Sequence, residues 1–163
     1  MTGVLHLTCG KIAAGKSTLA ARLAEAPDAI LISEDRLLAR LYPGEIATLA
    51  DYVRCAGRLR EAIAPHIQAL LRAGLSVVLD FQMNTLATRA WARSLFESAG
   101  AEHALHYLRM DDETCKARLR ARNAAGTHQY TASDAEFELF TAYFVAPGDA
   151  EGFEIVVHES GKG

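Results

Sequence analysis

The sequence predicts an α/β protein: a five-stranded, mainly parallel sheet with helices on both faces, three layers in all. Three observations carry that expectation. Short apolar runs alternate along the chain with longer helix-like segments. The run Leu75 to Asp80 (LSVVLD) is apolar almost without interruption, as a strand covered on both faces must be. The breaks between segments fall on proline, glycine and helix-capping residues.

Val4 to Cys9 (VLHLTC) reads as the first strand, and Lys16 to Ala26 as an alanine-rich helix stopped by Pro27. Ala29 to Ser33 (AILIS) is a short strand, followed by a helix over Glu34 to Leu41 that ends before Pro43-Gly44. Glu45 to Ala73 is mostly helical; Pro65 is expected to kink or restart it, and Gly74 suits its C-terminal cap. Leu75 to Asp80 is the third strand. Thr85 to Ala99 is helical and Gly100 closes it. His103 to Met110 is a strand, and Asp111 caps a helix over Asp112 to Asn123. Ser133-Asp-Ala-Glu136 has the spacing of a capping box and starts a helix reaching about Phe144. Glu154 to His158 is the last strand. In such sheets ligands sit beyond the carboxyl ends of the strands. The loop after Cys9, the Ser33–Asp35 segment, Asp80 and the segment after Met110 therefore share one rim.

Residues 1–163 fit one domain. At this size folding buries roughly 70% of the unfolded chain's surface, enough for a core without staples. Half the residues are hydrophobic and 23% are charged, the balance of an ordinary globular protein. The net charge of −3 argues against a broad basic face for nucleic acid. Cys9, Cys55 and Cys115 are far apart and form no C-x-x-C pair, which argues against a disulfide framework or zinc site. No apolar run approaches the ~18 residues that cross a membrane. The opening MTGVLHLTCGK lacks a basic segment ahead of its apolar stretch and reads as a strand, not a signal peptide. The expected setting is the cytoplasm. Nothing in the sequence bears on oligomeric state.

The strongest chemical signal follows the first strand. Gly10-Lys-Ile-Ala13-Ala14-Gly15-Lys16-Ser17 matches G-x-x-x-x-G-K-[ST] without a gap, between a strand ending at Cys9 and a helix starting near Lys16. Glycines at 10 and 15 let the backbone turn tightly, so successive N–H groups point inward at phosphate oxygens. The following helix adds its positive N-terminal end. Lys16 is expected to reach the β- and γ-phosphates of ATP. Ser17 would offer its hydroxyl to Mg²⁺, and Thr18 would donate to the α-phosphate. The plain alternative is a strand-to-helix turn with Lys16 and Ser17 on the surface. Switch-type GTPases carry N-K-x-D, which is absent here. Motor-type ATPases usually follow the strand aspartate with a glutamate; here Asp80 is followed by Phe81. Phosphoryl transfer to an acceptor is the class that remains.

Gly10–Thr18, Ser33-x-Asp35, Val-Val-Leu-Asp80 and Arg118-Leu-Arg-Ala-Arg122 together resemble the small P-loop kinases. The closest subgroup in pattern contains chloramphenicol phosphotransferase, the zeta toxins and the kinase domain of polynucleotide kinase. The resemblance spans most of the chain and implies a three-layer P-loop NTPase fold of the nucleoside-monophosphate-kinase type. By this resemblance Asp35 takes the proton of the acceptor hydroxyl, and Asp80 lies near Mg²⁺. A lid over about 118–133 supplies Arg118 and Arg122 to the transferred phosphoryl group, while Arg120 points elsewhere. A carboxylate on the same rim as the phosphate loop is also what general-base chemistry requires. The other reading of Asp35 is a helix N-terminal acid beside an N-cap at Ser33. The family's arginine three residues after this aspartate is replaced by Leu38; Arg36 and Arg40 are out of register. Its D-x-x-N pattern is also shifted, with Asn84 one residue late and Asn84-Thr85 equally suited to cap the next helix. The segment Phe144 to Pro147 and Glu151-Gly152 is expected near the adenine.

The acceptor expected is a small hydroxylated molecule. Two rivals stand beside it. One is a polynucleotide 5′-hydroxyl or nucleotide kinase, which would need an acceptor-side basic cleft; Arg54, Arg58 and Arg60 are its candidates, all on one helix and otherwise merely solvated. The other is an ATP-binding regulatory module with little catalysis. His103 and His106 are three apart in a strand, face opposite sides and make a poor metal pair. Trp91 and Phe96 are read as core. His128 and Tyr130 fall in the expected lid.

Overall fold

Five strands pair side by side in the order β2-β3-β1-β4-β5, and every pairing is parallel. They are β1 (Val4–Cys9), β2 (Ala29–Ser33), β3 (Ser76–Asp80), β4 (Glu102–Arg109) and β5 (Ile155–Glu159). The computed structural model describes residues 1–126 and 132–159. Among the described residues six α-helices connect and cover the strands: α1 (Lys16–Leu23), α2 (Glu34–Leu41), α3 (Leu49–Arg72), α4 (Leu86–Ala99), α5 (Asp112–Ala125) and α6 (Asp134–Ala142).

Side-chain alternation sorts the sheet into two faces. Leu5, Leu7 and Cys9 of β1 point to one side, where they join Leu105 and the apolar stripes of α3 and α4, including Leu59, Ile67 and Leu95. His6 and Thr8 point the other way, towards a smaller cluster built on Leu108, Cys115, Leu119 and Phe137. Val77, Val78 and Leu79 of β3 are all fully buried, so the unbroken apolar run does reflect cover on both faces. Each such buried side chain contributes roughly 1.5–3 kcal/mol by leaving water. The three layers expected from the sequence are present.

One expectation needs correction. The long third helix starts at Leu49, not Glu45, because Thr48 and Asp51 close a capping box at that point. It also runs unbroken through Pro65 for 24 residues. Pro65 is exposed, as is Glu61 one turn earlier, so water can serve the carbonyl that the missing N–H leaves unpaired. Other boundaries shift by only a few residues: the first helix stops at Leu23, and the last at Ala142 behind the expected Ser133–Glu136 box. His128 and Tyr130 lie outside the described residues.

Register brings the strand ends to one rim. Ser33 pairs with Asp80, and Cys9 with Tyr107. Gly10 directly follows Cys9, Asp35 lies two residues past Ser33 and Met110 three past Tyr107, which brings them to the same rim as Asp80.

Candidate functional site

β1 delivers the chain into the glycine-rich loop at its buried carboxyl end. The Gly10 N–H is held by Asn84 Oδ1 at 3.0 Å, which ties the loop entry to the segment after β3. A Cβ at Gly10 would sit 3.1 Å from the Leu108 carbonyl, so the close approach to β4 favours glycine there. The loop then turns through Ala13 (φ 63°) and Gly15 (φ 105°), both left-handed. Gly15 is the N-cap of α1 and has no side chain to cap it, so the first N–H groups of α1 make no bond to a capping side chain. An anion is the natural partner for such an end.

Lys16 folds back over this turn. Its Nζ donates to the Gly10 carbonyl at 2.6 Å and the Lys11 carbonyl at 2.8 Å. An ammonium has three donors, so one remains for a ligand oxygen. Burial lowers the Lys16 pKa, while the Asp80 and Asp35 carboxylates act in the opposite sense. Ser17 Oγ donates to Asp80 Oδ2 at 2.8 Å. A hydroxyl and a carboxylate are hard oxygen donors suited to Mg²⁺. Among the described residues no cluster of three His, Cys, Asp or Glu side chains could cage a metal. A cation held by Ser17 and Asp80 would complete its shell with phosphate oxygens and water, as Mg²⁺ commonly does.

These groups line a cleft of about 520 Å³. Ala13, Ala14, Thr18, Asp35, Arg118 and Arg122 line it too; Gly10 is not part of the lining and is tied to it through its carbonyl, which accepts from Lys16. Arg118 Nη1 donates to the Ala14 carbonyl at 3.3 Å. Arg122 is half-buried; its Nε makes no hydrogen bond, burial lowers its pKa and the Asp35 charge raises it. Arg120 turns away to pair with Asp134. Asp35 sits in the first turn of α2, exposed, beside an N-cap at Ser33 whose Oγ accepts from Arg36 N. It is both a helix N-terminal acid and a cleft carboxylate.

Sequence reasoning missed three groups. Glu34, next to Asp35, is 1% exposed and also lines the cleft. Desolvation pushes its pKa up to about 7 against the pull of a hydrogen bond from Tyr52 and the charge of Arg60, which lies 3.8 Å from its Oε2. Arg60 is thus a partner of a buried acid and not merely solvated. Arg89 is wholly buried. It grips Glu151 with two donors, at 2.7 and 3.2 Å, and bonds the carbonyls of Met83 and Val145 at 2.9 and 2.7 Å. It stands in step with Ala92, Phe96 and Ala99 on the buried stripe of α4, a charge at a core position that was visible in the sequence. The third group is a row of imidazoles. His6 Nδ1 lies 3.2 Å from His106 Nε2, and His106 Nδ1 lies 3.1 Å from His158 Nε2. Burial, then the two neighbouring rings, lower the His106 pKa to about 4. His103 faces the other side and stacks on Phe96.

The segment after α6 reaches the outer flank of the loop. Phe144 packs near Tyr107 and under the Lys11 ammonium, which also pairs with Asp112. No helix among the described residues is long and apolar enough to cross a membrane.

Residues 5–147 match the family model AAA_33, an AAA domain. No curated protein sequence matches the chain. Among solved structures, a candidate kinase from Chloroflexus aurantiacus is similar with a TM-score of 0.78 at 18% identity, over 98% of this chain and 89% of that one. Kti12 of Chaetomium thermophilum, solved with ADP-AlF3, gives 0.72 at 14% identity, over 96% and 89%. The APS kinase CysC of Mycobacterium tuberculosis, solved with AMPPNP and APS, gives 0.65 at 19% identity, over 99% and 91%. At these identities the likeness is one of fold.

Proposed function

The chain belongs to the AAA_33 family of AAA domains and has the fold of the small P-loop kinases, and from that premise we propose that it is an ATP-dependent phosphotransferase. It moves the γ-phosphoryl group of ATP to a hydroxyl of a small molecule. One observation carries the reading: Asp35 stands on the cleft that holds Lys16, Arg118 and Arg122, and also borders a second cavity beside it.

In the proposed reaction the acceptor hydroxyl enters from the second cavity and hydrogen-bonds to Asp35. Its oxygen attacks the γ-phosphorus in line with the bond to the β-phosphate oxygen. As the new P–O bond forms and the old one breaks, the hydroxyl proton passes to Asp35 and ADP leaves. The loop N–H groups and Lys16 hold the phosphates, and Arg118 and Arg122 balance the charge that shifts in the transition state. Ser17 and Asp80 would hold Mg²⁺, which when bound neutralises the β- and γ-oxygens. The same family of folds contains water-activating ATPases. Against that activity, the residue after Asp80 is Phe81, whose buried ring stacks on Trp91 and offers no base.

Asp35→Asn is expected to abolish transfer while AMPPNP–Mg²⁺ affinity stays within about twofold of wild type. Calorimetry and a ³¹P assay of transfer measure the two separately. Unchanged turnover in this variant would remove Asp35 from the mechanism. Lys16→Ala is expected to weaken AMPPNP by at least about tenfold, since a charge-assisted bond in this site is worth ~1.5–3 kcal/mol.

A further inference from the structure

The imidazole row is a cluster that phosphoryl transfer does not use. It crosses three strands, from His6 on β1 through His106 on β4 to His158 on β5. One end of it reaches the phosphate cleft, because His158 lines that cleft. His158 pairs in register with Leu108, which packs with Ile12, Ala13 and Ala14 of the phosphate loop. The imidazole therefore flanks the loop on the β4–β5 side. Asp80 ends β3 and Asp35 lies just past β2, on the opposite side. A triphosphate whose γ-end faces Asp35 then runs along the rim towards β5 and carries its nucleoside there. The way from β3 to β5 is three strand spacings, roughly 14 Å. Ile12, Leu108 and Met110 give that end of the cleft an apolar wall suited to a planar base.

His158 Nε2 is engaged by His106 Nδ1, and among the described residues no hydrogen bond reaches His158 Nδ1. The partner at one ring nitrogen ordinarily decides what the other nitrogen offers, and a carbonyl or carboxylate leaves a single tautomer. Here the partner is another imidazole. A neutral ring donates through one nitrogen and accepts through the other, so the row has two arrangements with the same two hydrogen bonds. In the first, His6 donates to His106 and His106 to His158, which leaves His158 Nδ1 a donor. In the second, all three rings change tautomer, both bonds reverse and His158 Nδ1 accepts. His6 is half-buried and its Nε2 lies outside the row, where water serves either role. Burial and the flanking rings lower the His106 pKa to about 4, so the middle ring stays neutral.

Adenine and guanine differ in the group they present at one ring position, an amino donor in adenine and a carbonyl acceptor in guanine. No N-K-x-D string supplies an aspartate that would select guanine. Resting on the phosphotransferase reading above, we infer that His158 reads the base of the phosphoryl donor and that the row behind it makes the site indifferent to the purine. The donor is then a purine nucleoside triphosphate, with guanine accepted as readily as adenine. His158 Nδ1 accepts from the adenine amino group or donates to the guanine carbonyl, and the row reverses to match.

AMPPNP and GMPPNP, each with Mg²⁺, are titrated into the protein by calorimetry, and imidazole ¹⁵N spectra are recorded on both complexes. The two affinities are expected to agree within about threefold, because neither base forfeits a hydrogen bond. The spectra are expected to show opposite tautomers in the two complexes at His158, and equally at His106 and His6, which do not line the cleft. His158→Leu is expected to weaken both analogues by roughly two- to tenfold and to leave the binding of inorganic tripolyphosphate unchanged. Ser160 and Lys162 follow β5 outside the described residues and serve as the control. Ser160→Ala with Lys162→Ala is expected to keep the ratio of affinities. A preference above about tenfold for either purine overturns the inference. So do identical tautomers in both complexes, unaltered affinities in His158→Leu, or a ratio that changes with Ser160 and Lys162. The phosphotransferase reading survives each of those results; it fails if neither analogue binds, and the inference falls with it.

Discussion

Arg89 touches no part of the cleft, yet a large share of its architecture rests on it. Its guanidinium ties α4 to the carbonyl after β3 and to the segment before β5, and the Glu151 carboxylate answers it. Arg89→Met would leave Glu151 and two carbonyls without their partner. The expected cost is ~3–5 kcal/mol, read from urea unfolding, with the AMPPNP site weakened only as far as the fold is. A loss below ~1 kcal/mol would mean that water replaces the arginine readily. Residues of this kind mark the limit of what the sequence discloses. Lys16 was legible because its partners, Gly10 and Lys11, lie within a gapless motif; Ser17 was legible as a member of that motif, although its partner Asp80 lies 63 positions away. Arg89 could be noticed as a charge on an apolar stripe, but Glu151 lies 62 positions away and nothing local names it. Glu34 was hidden by Asp35: two adjacent acids at a helix start read alike until burial separates them.

Capping chemistry explains which helices could be read well. Ser133 with Glu136 and Asp111 ahead of α5 are local signals, and both helices begin where those signals say. Thr48 with Asp51 is an equally local box, but the run Glu45-Ile-Ala ahead of it continued the helical pattern and drew the boundary outward. Pro65 does not restart the helix, for a different reason. A proline costs a helix one hydrogen bond and a steric adjustment, and neither need end it when the orphaned carbonyl faces water. Pro65→Ala restores an N–H at an exposed position of α3. It is expected to stabilise the protein by at least ~1 kcal/mol, since alanine is favoured over proline by ~3 kcal/mol in a helix interior. An unchanged urea midpoint would mean that the helix has already relaxed around the proline.

Across the whole molecule, two buried ionisable groups set opposing responses to pH. Glu34 rises from 4.5 to about 7, so the native state keeps its proton longer than the unfolded chain. The stability this brings is complete below pH 4.5 and falls as pH rises towards 7. His106 drops from 6.5 to about 4, so the unfolded chain takes up its proton first, and stability is lost as pH falls through that window. The cause is visible in the imidazole row: a neutral ring donates to one neighbour and accepts from the other, and a second proton would spoil the accepting side. Where the windows overlap, the slopes largely cancel and wild-type stability should be nearly flat. Glu34→Gln is expected to expose a rise in stability with pH, and His106→Gln a fall, each approaching ~1.4 kcal/mol per pH unit. Urea midpoints across pH 4.5 to 6.5 measure both; parallel curves for all three proteins would refute the assignment. The histidine row also shows why the whole could be foreseen only in outline. Its members lie 100 and 52 positions apart and meet because β1 and β5 flank β4, an order that alternating strands and helices do not specify.

That strand order has one more consequence. The strand that launches the phosphate loop is the middle one, hydrogen-bonded to a neighbour on either side. Deuterium can reach the amides of Leu5 and Leu7 only when the sheet itself comes apart. A nucleotide analogue seated at the rim should therefore act as a keystone, slowing exchange in the interior of β1 by about a hundredfold when present at about a hundred times its Kd.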